Sequence, residues 1–287
     1  AAAHAAVELG LLADAERLVK VAEVLGPNQP PVMNQAAIVH LAAGRPELAL
    51  DKALRGLKTS PEDQSLLGWA ISAARAAGDE RYAQLSDYQS LVATYDIDVP
   101  EGWDSLEAYL ADLSKVLRSM HVYSRHPANQ SVWGGGQLLQ NLRGSSEPTI
   151  QAFFKAIDGP IRRHMAFLGP GDDFHRRRAT GDYDISGAWS VLLRPGGFHK
   201  DHFHPQGWLS SAFYVETPAS ALDRPDREGW LRFGRPPIVT RPQLEAEHYV
   251  RPKPGRLALF PSYMWHGTVP FSTDESRMTI AFDIVPA

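Results

Sequence analysis

The sequence contains no cysteine. That excludes disulfides and thiolate-bound metals at once, and it fits a reducing cytoplasm. Also missing is any apolar run near the roughly 18 residues that a membrane-spanning helix needs. The alanine-rich start, residues 1–6, has no charged leader and runs into no apolar stretch, so no signal peptide is expected and the chain is read as cytoplasmic. Positive charge is not in excess either: 29 Lys and Arg stand against 33 Asp and Glu. A surface that neutralises phosphates needs the opposite balance, so no nucleic-acid partner is expected. The one basic run, Arg176-Arg177-Arg178, reads as a solvated loop.

What is there suits a water-soluble globular protein: 287 residues, 44% hydrophobic and 22% charged, room for roughly two domains. The first hundred residues carry a period of 34: Gly10, Gly44 and Gly78. Ala15, Ala49 and Ala83 follow them at one offset, the small residues Ala22, Gly56 and Ser90 at another, and Pro27 and Pro61 follow the first two glycines. Glycine suits the tight turn between paired helices, small residues let the helices approach, and proline ends the second helix. The pattern resembles the tetratricopeptide repeat over residues 1–95, with a generic helical bundle as the alternative. Stacked helix pairs make a concave surface, suited to a protein or peptide substrate or to a second copy of the chain.

Residues 96–102 break helical periodicity and read as a linker to a second domain, 101–287. Leu106, Leu110, Leu113 and Leu117 predict a helix. Gly134-Gly135-Gly136 predict a flexible turn without chemistry. A further helix is expected over 149–168, interrupted at Pro160. From Trp189 onward the texture is that of a β-sandwich or barrel, with strands at 189–193, 210–216, 257–260 and 278–285 and a turn at Pro195-Gly196-Gly197. The rings of Trp189, Tyr214 and Trp265 are expected to line it.

The chemistry concentrates in His199-Lys200-Asp201-His202-Phe203-His204-Pro205, then Gly255–Ser262, His266, Arg277 and Thr279. Residues two apart on an extended chain point the same way, so His202 and His204 can meet one metal ion, with His266 closing the face from a neighbouring strand. Imidazole suits iron, zinc, copper or nickel. Arg277 can grip a carboxylate through two parallel hydrogen bonds, and Thr279, on the same strand face, can donate a third. His4, His40, His121, His126, His164, His175 and His248 show no such pattern and are read as structural or exposed.

These residues carry a resemblance. The segment 189–285 resembles the 2-oxoglutarate/Fe(II)-dependent oxygenase superfamily, above all bacterial oxygenases with a His-X-His-Pro element, a strand ending in Tyr-Val (Tyr214-Val215), a Gly-X-Leu-X-Leu-Phe-Pro-Ser element, a distal histidine and a later arginine. It is also similar to the aspartyl/asparaginyl β-hydroxylases, which share the order Pro-Gly, His, Pro and pair helical repeats with an oxygenase. The resemblance implies an α+β fold, an N-terminal α-helical repeat region plus a C-terminal double-stranded β-helix (jelly roll) with flanking helices. It implies a dioxygenase that uses Fe(II), 2-oxoglutarate and O2 to hydroxylate a protein, peptide or small molecule. His202 and His266 then match the catalytic iron ligands and Arg277 the co-substrate arginine. Where most members have Asp or Glu, this chain has His204. Three ways to fill the third position stay open: His204, water, or a shifted register in which His199-Lys200-Asp201 ligates. Two rival functions stay open as well: a cupin-like three-histidine metal enzyme that does not use 2-oxoglutarate, and a non-catalytic protein that binds partners through its repeats.

Overall fold

The computed structural model describes residues 2–121, 131–138, 140–222 and 224–287; His126 lies outside them. The chain opens with helices α1 (Ala2–Glu8), α2 (Leu12–Leu25), α3 (Pro30–Ala42), α4 (Pro46–Thr59), α5 (Gln64–Ala77), α6 (Arg81–Leu85) and α7 (Tyr88–Leu91). Gly10 and Gly44 sit in the α1–α2 and α3–α4 turns, and Gly78 ends α5, with φ of +75°, +75° and +67°. Only glycine takes these angles without strain, which is why the period shows in the sequence. Ala15 and Ala49 are fully buried, and a Cβ on Gly56 would come within 2.7 Å of Leu66. The pattern fades in the third unit, where α6 has five residues and Ala83 is exposed.

The sheet begins before the expected boundary: β1 (Ala93–Asp96) pairs antiparallel with β7 (Arg256–Pro261), Ala93 opposite Leu259. Helix α8 (Leu106–Met120) starts at Ser105, whose hydroxyl accepts from Ala108 N, as N-cap serines do. Helix α9 (Pro148–Leu168) runs through Pro160 without a break, against the expected interruption. A proline inside a helix costs about 3 kcal/mol. Phe153, Ile157 and Ile161 are fully buried on the same helix, and each such side chain returns about 1.5–3 kcal/mol. Packing outweighs the lost hydrogen bond.

The remaining strands are β2 (Val132–Gln137), β3 (Tyr183–His199), β4 (Leu209–Glu216), β5 (Leu231–Phe233), β6 (His248–Val250), β8 (His266–Thr268) and β9 (Arg277–Pro286). They form a six-stranded sheet, β1-β7-β4-β9-β3-β2, and a three-stranded sheet, β6-β5-β8. All pairings are antiparallel. Two expectations change here. Gly134–Gly136 are not a flexible turn but part of strand β2, and Pro195-Gly196-Gly197 are not a turn between elements but lie within β3. The β2–β3 register jumps from Trp133↔Phe198 to Gly135↔Leu193, so Gly134 faces a bulge. A Cβ on Gly134 would stand 2.9 Å from Gly197 Cα, and one on Gly135 would collide with the Leu192 carbonyl. The glycines are there for close backbone approach.

Helices and strands share a core. Trp265, expected inside the barrel, instead packs outward on Trp69 of α5, ring centroids 4.8 Å apart, in a cluster with Ala70, Ala73 and Ala74. The basic run is likewise not free in solvent: Arg177 and Arg178 pair with Glu62, and Arg176 with Asp173. Among the described residues no helix is long and apolar enough to cross a membrane.

Candidate metal and co-substrate site

The backbone brings the histidines together before their side chains do. His202 and His266 form an isolated antiparallel bridge and exchange both main-chain hydrogen bonds, each 2.9 Å. Such a pair puts two side chains on one side of the ribbon. Their ring centroids lie 4.3 Å apart. His204, two residues on, is tied by its backbone N–H to Ser262 O (2.9 Å), and its ring lies 5.2 Å from each of the other two. The ring nitrogens able to ligate all fall within 4.8 Å of one another.

Hydrogen bonding fixes which nitrogens are free. His202 Nδ1 faces Lys200 O at 2.8 Å, His266 Nδ1 faces Met264 O at 2.9 Å, and His204 Nδ1 faces Asp283 Oδ1 at 2.5 Å. Carbonyl and carboxylate oxygens only accept, so each Nδ1 carries the proton. That leaves the three Nε2 atoms unprotonated, the tautomer that metal-binding histidines take, with the Ser131 hydroxyl 3.4 Å from that of His202. Burial, then the neighbouring imidazoles, depress the pKa of His202 to about 3 and that of His266 well below its usual value. Both are neutral donors at ordinary pH.

The shifted register finds Asp201 elsewhere. Its carboxylate accepts from Arg232 Nε (2.9 Å) and Nη2 (2.7 Å) and lies 3.7 Å from Arg235. It does not line the cavity that holds the histidines. His199 does line that cavity, with Nδ1 3.0 Å from Ser131 Oγ.

The cavity has a volume of about 420 Å³ and takes in Arg277 and Thr279 from β9. Arg277 is 2% exposed, and its Nε finds no partner. Its guanidinium stands over the Tyr214 ring, 5.1 Å from the centroid, and no carboxylate among the described residues pairs with it. Burial lowers its pKa, yet arginine stays charged in proteins. An uncompensated buried cation is costly, and a carboxylate entering the cavity removes that cost. The residues therefore fit both halves of the expected cofactor set: three imidazole donors for an ion, and a cation for the far end of a dicarboxylate.

Tyr214 and Trp189 take the inward positions expected of them, Tyr214 beneath Arg277 and Trp189 on the cavity wall. His121, His164, His175 and His248 are taken up in structural contacts with Ser190, Tyr95, Trp208 and Tyr88. Asp283, Ser131 and Gln137 also line the cavity, and sequence reasoning misses them. Asp283 left a signal: Arg277, Thr279, Ala281 and Asp283 alternate along β9, and all four line the cavity. Ser131 and Gln137 left none, since they reach the site only through the β2–β3 pairing.

Residues 187–283 match the family described as "Putative 2OG-Fe(II) oxygenase". No curated protein matches the chain. Among solved structures, a Pseudomonas putida prolyl-4-hydroxylase is similar at 18% identity, over 70% of this chain and 96% of that one, with a TM-score of 0.45. The viral collagen prolyl hydroxylase vCPH from Paramecium Bursaria Chlorella virus-1, solved with 2OG, is similar at 10% identity, over 69% and 96%, with a TM-score of 0.43. HygX from Streptomyces hygroscopicus, solved with nickel and 2-oxoglutarate, is similar at 11% identity, over 71% and 86%, with a TM-score of 0.44. The family match covers the three histidines, Arg277 and Thr279, and the centre that its description names uses Fe(II), 2-oxoglutarate and O2.

Proposed function

We propose that the protein is a 2-oxoglutarate- and Fe(II)-dependent dioxygenase that hydroxylates a C–H bond of its substrate. The observation that carries this reading is the joint placement of three unprotonated imidazole Nε2 atoms and the uncompensated Arg277 in one cavity. His202, His204 and His266 hold the iron. Arg277 holds the distal carboxylate of 2-oxoglutarate, with Thr279 donating beside it. Bound there, the iron and its co-substrates supply the oxidising power: 2-oxoglutarate leaves as succinate and CO2 while one oxygen atom enters the substrate.

The chain itself orients and encloses. The carbonyls of Lys200 and Met264 lock the His202 and His266 rings with Nε2 inward. Trp189, Leu231 and Phe260 line the cavity and keep water from the reacting centre. The helical region, fused to the barrel at Trp265, offers a surface for a protein or peptide substrate, and the tetratricopeptide-like reading of the repeats belongs to this proposal. A small-molecule substrate, pairing of two chains through the same helices, and a cytoplasmic setting are compatible with it.

The test is succinate release from 2-oxoglutarate with Fe(II) and O2. Losing a charge-assisted bidentate contact should raise the 2-oxoglutarate KM of Arg277→Ala by about 10–100-fold. Unchanged turnover in that variant would refute the assignment. The all-histidine donor set favours one rival, a cupin-like enzyme without 2-oxoglutarate. Adding 2-oxoglutarate to the anaerobic Fe(II) form separates the two, because chelation gives a visible charge-transfer band and the rival predicts none.

A further inference from the structure

Asp283 stands one imidazole away from the centre. Its Oδ1 accepts from His204 Nδ1 at 2.5 Å and from the Ser210 hydroxyl at 2.9 Å. Ser210 also meets the Ser262 hydroxyl at 2.9 Å, and Ser262 O holds the His204 backbone N–H. One network across β4, the end of β7 and β9 therefore fixes both the main chain and the ring of His204. No Lys or Arg among the described residues pairs with Asp283, whose side chain is 16% exposed. A carboxylate so placed needs a positive charge nearby. The cation it can reach is an ion on the far side of the His204 ring.

The charges support this. A dipositive ion and Arg277 bring three positive charges into the cavity, and a bound dicarboxylate brings two negative ones. A centre with two histidines and one carboxylate ligand gains its last negative charge from that ligand. Here the corresponding position, two residues after His202, is neutral His204, and the nearest carboxylate is its own hydrogen-bond partner. We infer that Asp283 is the positioning residue of the metal centre: it fixes the His204 ring with Nε2 toward the ion and supplies, through that ring, the negative charge that a carboxylate ligand would otherwise bring. The inference rests on the three-histidine reading. Carboxylates hydrogen-bonded to metal-binding histidines act in this way, and losing one weakens metal affinity about 10–100-fold.

The experiment is a Co(II) titration of the metal-free protein without 2-oxoglutarate, followed by visible absorption with a competing chelator. Thermal melting of each metal-free form checks its fold. Asp283→Asn should weaken Co(II) binding about 10–100-fold, because the amide can donate to Nδ1 and turn the wrong tautomer inward. Combining Asp283→Asn with His204→Asp puts the carboxylate directly on the ion and should recover most of the loss. A purely structural role for Asp283 predicts no recovery. If Asp283→Asn does not fold, Ser210→Ala replaces it, with weaker binding supporting the inference and unchanged binding overturning it. An Asp283→Asn affinity equal to wild type, or a double variant no tighter than the single one, overturns the role of Asp283 while leaving the metal centre standing. No Co(II) uptake by the wild type would overturn the centre itself, and this role with it.

Discussion

Trp265 and Ser72 are joined across the seam between helices and barrel: the indole N–H donates to Ser72 Oγ at 3.0 Å and to Gly68 O at 3.1 Å. The next residue after Trp265 is His266, so the helix face that receives the indole also braces the strand that carries His266. Trp265→Phe keeps most of the ring and removes the N–H. It leaves a buried hydroxyl and a carbonyl short of one donor, at a cost of about 1–3 kcal/mol. Urea unfolding should show a lower midpoint with an unchanged slope. A midpoint equal to wild type would mean that the seam does not depend on this contact.

The parts legible in the sequence are those whose cause is local. A left-handed turn demands glycine, so Gly10 and Gly44 mark the helix turns by themselves. A short run rich in aromatic and branched residues marks β4, alternation marks β9, and the His-X-His spacing follows from the two-residue repeat of an extended chain. The parts that escaped depend on partners distant in sequence. Gly134 reads as a flexible turn until Gly197 lies against it. Pro160 reads as a helix break until the buried face of α9 holds it in line. Asp283 reads as one more polar residue on a strand, because His204 lies 79 residues away.

Gly135 and Gly144 make a paired test of close approach. A Cβ on Gly135 would meet the Leu192 carbonyl and crowd Leu193 Cα at 3.0 Å, whereas one on Gly144 meets nothing within 4 Å. Backbone cannot rotate out of the way as a side chain can. Gly135→Ala should cost about 1–3 kcal/mol, the usual penalty of overpacking, and Gly144→Ala should stay within about 0.5 kcal/mol of wild type. Thermal melting of the two variants decides it. Equal melting temperatures would show that β2 is free to move off β3.

Stability should fall on acidification through two histidines outside the site. His164 and His175 are buried, and burial depresses the pKa of each to about 3. Both are neutral in the folded protein at neutral pH, while in the unfolded chain each takes up a proton below its ordinary pKa of about 6.5. Between those limits the unfolded state binds more protons. The contribution of each is therefore intact above about pH 6.5 and is lost as pH falls toward 3, with a slope of up to about 1.4 kcal/mol per pH unit per histidine. Urea unfolding of His164→Gln across this range should give a shallower pH dependence than wild type. An identical slope would mean that His164 is solvated and titrates normally in the folded protein.

Asp201 offers the sharpest separation between the two ways of reading the histidine-rich segment. If His199-Lys200-Asp201 were the ligating register, Asp201→Asn would remove a ligand, and metal affinity would collapse. The geometry points elsewhere. The Asp201 carboxylate, 6% exposed, is held by both donors of the Arg232 fork, with Arg235 beyond it at 3.7 Å. Removing its charge strands a guanidinium that is itself 12% exposed, and breaking a buried pair from one side costs up to about 3–5 kcal/mol. The expected result is a protein that melts earlier but still takes up Co(II) with near wild-type affinity below its melting point. His202→Ala should show the reverse pattern, with fold retained and metal binding lost. Should Asp201→Asn lose the metal while its unfolding midpoint stays put, Asp201 would be a ligand, and His204 would have to be reassigned.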